Sequence, residues 1–107
     1  MKPTVDYTRA KSTFKKQLYL IESVPEPISH IGMIVIIESI KKTRKSLFAL
    51  KTDSSFIDSL RKTSISRLQD CLFSATGHAE RKELDTNFIK NFIIKDFREI
   101  NHYFSNS

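Results

Sequence analysis

Two side chains in this sequence could form a catalytic pair, namely the single cysteine, Cys71, and His78. A cysteine beside a histidine base acts as a thiolate nucleophile, provided that the two side chains touch. They lie seven positions apart, but Gly77 between them is predicted to end a helix in the left-handed conformation, so the spacing does not define their relative geometry. Cys71 falls on the apolar face of that predicted helix and is interpreted as a buried structural thiol. His78 is interpreted as the first residue of a solvated, charged loop that extends to Glu83.

Other catalytic and metal-binding patterns do not occur in the sequence. It contains no glycine-rich phosphate loop, no Gly-x-Ser-x-Gly turn and no His-Glu-x-x-His helix. One cysteine excludes an intramolecular disulfide and a cysteine-based metal cluster, and the three histidines lack ligand spacing. We therefore expect no enzyme activity, no catalytic residues, no metal site and no cofactor.

Positive charge is the first feature that indicates a partner. The formal net charge is +6, and the whole excess lies in residues 1–51, because residues 52–107 carry equal numbers of acidic and basic groups. Such asymmetry is typical of chains that bind a polyanion or an acidic protein surface. The candidate basic residues for a protein partner or nucleic acid are Lys11, Lys15, Lys16, Lys41, Lys42, Arg44 and Lys45.

The second such feature is the apolar run from Ile31 to Ile40, which precedes the basic run Lys41–Lys45. As a helix it forms a seam with alternating gaps of three and four residues that continues to Leu50. Three further apolar residues, Ile31, Ile34 and Val35, lie outside this seam. Apolar residues around most of a helix are typical of one that is buried on several sides or shared with a partner. The predicted apolar partner-binding residues are Ile31, Ile34, Val35 and Ile37.

Four amphipathic helices are predicted to position these residues. The first runs to about Ser23 and is stopped by Pro25 and Pro27. The second starts near Ile28 or Ser29. Further along the chain, Asp53 or Ser54 is expected to cap the third helix, and Asp85 or Thr86 the fourth.

Short connections between these helices favour antiparallel neighbours, so the predicted fold is a small all-α four-helix bundle forming a single domain over residues 1–107. The alternative is an α+β fold with a hairpin at residues 33–51, because the run is rich in β-branched residues. The residues at the hairpin's turn include no Gly, Asn, Asp or Pro, which favours the helix.

These patterns favour a non-enzymatic, small regulatory or adaptor protein of the chaperone, anti-factor or immunity type. It would bind another protein through an apolar helix face with a basic rim, and a homodimer could use the same face. The alternative is a nucleic-acid-binding transcriptional regulator that uses the basic first half. No secretory leader pattern and no apolar run long enough for a membrane span are present, so a cytoplasmic location is expected.

Overall fold

The computed structural model describes residues 3–106, with side chains from residue 5 onward, and within this range the chain forms a bundle of four helices. Helices α1, α2 and α3 span Pro3–Glu22, His30–Ala49 and Ser55–Ala79. Helix α4 is continuous but has three parts, which are α-helical at Thr86–Phe88, π-helical at Ile89–Ile94 and α-helical again at Lys95–Ser105. The all-α prediction is confirmed. The hairpin alternative is wrong, because residues 33–49 continue one helix whose seam lies in the core.

Side-chain caps fix the starts of α2, α3 and α4. The Ser29 hydroxyl accepts a hydrogen bond from the Gly32 amide at 3.1 Å. Ser54 does the same for the Ile57 amide at 3.2 Å, and Asp85 for the Phe88 amide at 3.1 Å. Each cap satisfies a backbone donor that has no partner within its helix. Ser54 and Asp85 are among the caps that the sequence predicts.

The predicted end of α3 at Gly77 is wrong, since the helix continues to Ala79 and Gly77 does not have a positive φ. The reason is tertiary packing of His78, which is only 4% exposed. Its ring stacks on that of Phe88 at 4.7 Å, and its Nε2 accepts a hydrogen bond from the Asp85 amide at 3.1 Å. Burying the imidazole against the start of α4 extends the helix by a further half-turn, so His78 does not belong to a solvated loop.

Helices α2 and α4 lie diagonally opposite each other in the bundle, as do α1 and α3, and the core fills the space between the four helices. Helix α2 packs against α1 and α3, and α4 packs against the same two helices from the other side. Helix α2 contributes the seam residues Met33, Ile36, Ile40 and Leu47, all of which are buried. Because α2 is covered on its flanks and its inner face, the opposite face is left to solvent.

The segment between α1 and α2 is held against the start of α4. The backbone amide of Ile28 donates to the Thr86 hydroxyl at 3.0 Å, and the Ile28 side chain is buried. This contact holds the residues just before α2 against the first turn of α4.

Candidate functional site

The outer face of α2 carries apolar side chains that the fold does not cover. We define this outer face by its exposed residues, namely Ile31, Ile34, Val35, Glu38, Lys41, Lys42, Lys45 and Phe48. Ile31 is 75% exposed, Ile34 59% and Val35 38%. Ile37, the fourth apolar residue of the predicted binding set, is only partly buried but packs against the core. The structure therefore leaves three of the four side chains accessible on one face.

A groove lies beside the apolar end of this face. It has a volume of about 340 Å³ and runs between the end of α1 and the start of α2. We call it the α1–α2 groove. It is lined by Leu20, Ser23, Val24, Pro25, Ser29, Ile31, Gly32 and Val35. Most of these side chains are apolar, so the groove extends the exposed isoleucine surface of α2 sideways onto α1.

Gly32 lets the wall of the groove approach α2 closely. A Cβ atom at this position would lie 2.7 Å from Val24 Cγ1 and 3.3 Å from Ile28 Cγ2. Real Cβ atoms do not approach carbon atoms at 2.7 Å. The α1–α2 turn, residues 23–29, therefore packs this closely against α2 only because residue 32 has no side chain. The apolar wall made by Val24 depends on this glycine.

The basic end of the outer face begins at Lys41, nearly two turns after Val35. Lys41 Nζ lies 3.7 Å from the Glu38 carboxylate, and both side chains are about half exposed, so this pair contributes little to stability. Lys42, Arg44 and Lys45 form no ion pair with any residue in the described range 3–106. Arg44 is half-buried, whereas Lys42 and Lys45 are exposed. Their charges remain available to a partner.

The predicted basic residues of α1 do not form one described site with the lysines of α2. Arg9 lines a shallow cleft with Ser46 and Ala49, as the antiparallel packing of α1 and α2 predicts. Lys11 and Lys15 instead line a cleft with residues of α4, including Asn101, and the Lys11 ammonium lies 4.5 Å from the centre of the Tyr7 ring. Lys16 is exposed on α1.

Cys71 and His78 do not form a catalytic pair. The Cys71 thiol is buried and donates to the Ile93 carbonyl at 3.6 Å. Burial raises the pKa of this thiol to about 12, with the nearby Asp96 carboxylate adding to the effect. Nε2 of His78 is occupied by the Asp85 amide, and burial lowers the pKa of its imidazole. A thiol that stays protonated and a ring that faces a backbone amide are structural groups.

A second cleft, of about 230 Å³, lies between the α1–α2 turn and α4, and four of its five charged lining residues form ion pairs with each other, the exception being the exposed Lys95. Arg98 Nε donates to Glu22 at 2.7 Å, and Lys90 Nζ lies 2.7 Å from the Glu26 carboxylate. These pairs tie the turn to α4, so the cleft is interpreted as part of the scaffold that holds the α1–α2 groove.

Sequence reasoning missed one wall of the site. Leu20, Val24 and Pro25 line the groove opposite Ile31, but they lie outside the apolar run on which the prediction rested. A proline-bounded turn directly before an apolar helix was the available signal, because such a turn folds the end of α1 back beside the start of α2.

No group of three or more His, Cys, Asp or Glu side chains that could hold a metal ion occurs among the described residues. Within the same part of the chain, no helix is long and apolar enough to cross a membrane. No protein family, curated protein or solved structure matches the chain.

Proposed function

We propose that the chain is a small, non-enzymatic regulatory or adaptor protein that binds another protein through the outer face of α2 and the α1–α2 groove. The observation that carries the proposal is the exposure of Ile31, Ile34 and Val35 beside an apolar groove. A contiguous apolar patch rimmed by charged residues is typical of protein-binding surfaces. The partner would meet the chain in the cytoplasm.

The energy available from this face is enough to contribute to binding but not to produce it alone. Full burial of an isoleucine or valine side chain stabilises by about 1.5–3 kcal/mol, so these three partly exposed side chains offer about 3–5 kcal/mol together. Association costs at least about 4 kcal/mol in lost translational and rotational freedom. The groove residues and the lysines must therefore contribute as well, which is why we assign the whole surface to one partner.

Retention of a partner by the immobilised full-length chain tests the proposal. We expect Ile34→Glu to abolish retention, because it sets a carboxylate in the centre of the apolar patch. Phe92→Glu is the matched control, since Phe92 is 65% exposed on α4, diagonally across the bundle from α2. A protein retained by the wild type and the Phe92 variant should be identified by mass spectrometry and its binding measured by calorimetry with purified components.

Three results would count against this function. If every retained protein binds Ile34→Glu as strongly as the wild type, the face is not the binding surface. Catalytic turnover that is lost in Cys71→Ser would contradict the non-enzymatic assignment. Sedimentation of the free chain as a dimer that Ile34→Glu converts to a monomer would assign the face to a second copy.

Nucleic-acid binding is the second candidate, and the exposed lysines of α2, Lys41, Lys42 and Lys45, favour it. Contacts would be to the phosphate backbone, with the logarithm of the binding constant falling by about 0.9 per neutralised phosphate for each unit of log salt. Replacing Lys41, Lys42, Arg44 and Lys45 with Ala should flatten that slope. Absent or salt-insensitive binding to duplex DNA would eliminate this candidate.

A further inference from the structure

Between Ile31 and Lys45, the outer face of α2 changes once from apolar to basic. The first part of this row presents Ile31, Ile34 and Val35, and the second part presents Lys41, Lys42 and Lys45. Phe48, which is 57% exposed, lies three residues beyond the row. At a rise of about 1.5 Å per residue, this row is about 20 Å long. The one carboxylate between the halves, Glu38, lies beside Lys41. An occupant that covers the whole row must carry two different chemistries in a fixed order.

We propose that the occupant is an amphipathic helix of another protein, with carboxylates in its first two turns and large apolar side chains in the following turns, lying antiparallel to α2. This inference rests on the proposed function of the face and names the chemistry of its partner. The carboxylates lie against Lys41, Lys42 and Lys45, and the apolar side chains cover Ile34 and fill the α1–α2 groove.

A helix suits this surface because its exposed residues follow one another along a single helix, α2, with the groove beside the first of them. The groove runs along the side of α2, bounded by Leu20 and Pro25 on one side and by Ile31 and Val35 on the other. An amphipathic helix presents anchors at i, i+3, i+4 and i+7, which is the spacing of the exposed residues it would meet. About 14 helical residues span the 20 Å row.

Carboxylates suit the other end because Lys42 and Lys45 have no ion-pair partner in the described chain. A nucleic-acid backbone could also contact these lysines. It would leave Ile31 and Ile34 in water, however, because phosphates and sugars have little apolar surface to bury them. An acidic amphipathic helix satisfies both halves at once, which is why we favour it.

The helix dipole decides the direction. Carboxylates stabilise a helix at its N-terminal turns, so an acidic-then-apolar order is the one in which the partner helix is itself most stable. With its acidic turns against the lysines, this helix must run opposite to α2. Its carbonyl end then lies near the N-terminus of α2, where Ser29 caps the helix and the dipole is positive.

Disulfide tethering at the two ends of the face tests both the chemistry and the direction. The variants are Ser23→Cys, at the apolar end of the groove, and Ala49→Cys, beyond the lysines. The native thiol does not compete, because Cys71 is buried. The probes are designed helical peptides of about 18 residues, with glutamates in the first two turns and leucines and phenylalanines in the last two. Each peptide carries a single cysteine, which lies at the N-terminus in one version and at the C-terminus in the other.

In a redox buffer of reduced and oxidised glutathione, which takes up the two electrons, the peptide with a C-terminal cysteine should form a mixed disulfide with Ser23→Cys. The peptide with an N-terminal cysteine should form one with Ala49→Cys. We expect about tenfold less of each product when the acidic and apolar halves of the peptide are exchanged, since carboxylates then face isoleucines. Raising the salt concentration should weaken tethering of the glutamate peptide but not of its glutamine analogue.

Two outcomes would overturn the inference and leave the proposed function standing. The opposite pairing of peptide ends and cysteine variants would show a parallel helix. Equal tethering of the glutamine analogue would show that the lysines do not select carboxylates. As a positive control, the double variant Lys42→Glu and Lys45→Glu should no longer form the mixed disulfide with the glutamate peptide. It should instead form one with a peptide in which lysine replaces each glutamate.

Other outcomes would remove the helix from the site altogether. If no peptide tethers above the level given by Ile34→Glu, the occupant is not a helix of this kind, whereas the proposed function is decided separately by the retention experiment. Displacement of the peptide by duplex DNA that binds Ile34→Glu equally well would assign the lysines to nucleic acid and overturn the inference.

Discussion

Alanine substitution at the two glycines should have opposite effects, and the contrast tests the geometry of the groove. Gly32 and Gly77 both lie in α-helices and neither has a positive φ. Alanine is therefore compatible with the backbone at both positions, and helix propensity alone favours it by up to about 1 kcal/mol. The difference lies in the surroundings. A Cβ at Gly77 would meet nothing within 4 Å, whereas one at Gly32 would lie 2.7 Å from Val24 Cγ1.

We expect Gly77→Ala to raise the free energy of unfolding by about 0.5 kcal/mol, somewhat less than the full propensity because the site is in the last turn of α3. Gly32→Ala gains a similar amount but must displace Val24, a β-branched side chain with few rotamers. Overpacking of this kind costs about 1–3 kcal/mol. The two variants should therefore differ by about 1–3 kcal/mol, with Gly32→Ala the less stable.

Urea unfolding followed by far-ultraviolet circular dichroism gives both free energies, provided that the denaturant slope is unchanged between variants. Adding Val24→Ala to Gly32→Ala removes the closest contact atom, so it should recover part of the loss. If Gly32→Ala is as stable as Gly77→Ala, the turn does not approach α2 as closely as the structure shows, and the wall of the α1–α2 groove is placed wrongly.

Two further predictions concern the buried titratable groups. Since burial raises the pKa of Cys71 to about 12, its thiol should resist a thiolate-selective reagent at pH values up to about 8 and react rapidly once the chain is unfolded in urea; fast labelling of the native chain would contradict its burial. Burial lowers the pKa of His78 below its ordinary value of 6.5, so the unfolded chain binds a proton more readily than the folded one. The free energy of unfolding should therefore fall as the pH drops below about 6.5, and His78→Gln should reduce this dependence; an unchanged slope in the variant would assign the effect to other groups.

The helices were predictable because their signals are local. Apolar residues that recur every three or four positions predict each helix. Ser54 and Asp85 cap their helices through hydrogen bonds to amides only three residues away. The competing hairpin at residues 33–51 lacked a turn residue, and the absence of that local requirement correctly favoured the helix. Such features depend only on residues that are close together in the sequence, so they can be predicted without knowing the fold.

The end of α3 could not be predicted in the same way. Gly77 followed by a charged segment is a typical helix end, yet the helix continues because His78 stacks on Phe88 and bonds to Asp85. These partners are seven and ten positions away, and only the packing of α3 against α4 brings them to the imidazole. Tertiary contacts overrode a local signal worth about 1 kcal/mol.

The sequence by itself determined that apolar and basic residues follow one another on α2, because helical periodicity alone sets which side chains share a face. It did not determine which apolar residues would be left exposed. Ile37 packs against the core while Ile34 is 59% exposed, although both are isoleucines on the same two turns. The packing of α1 and α3 against α2 decided which of the two is covered. The groove has its present shape because Gly32, which has no side chain, allows Val24 in the α1–α2 turn to lie close to the helix.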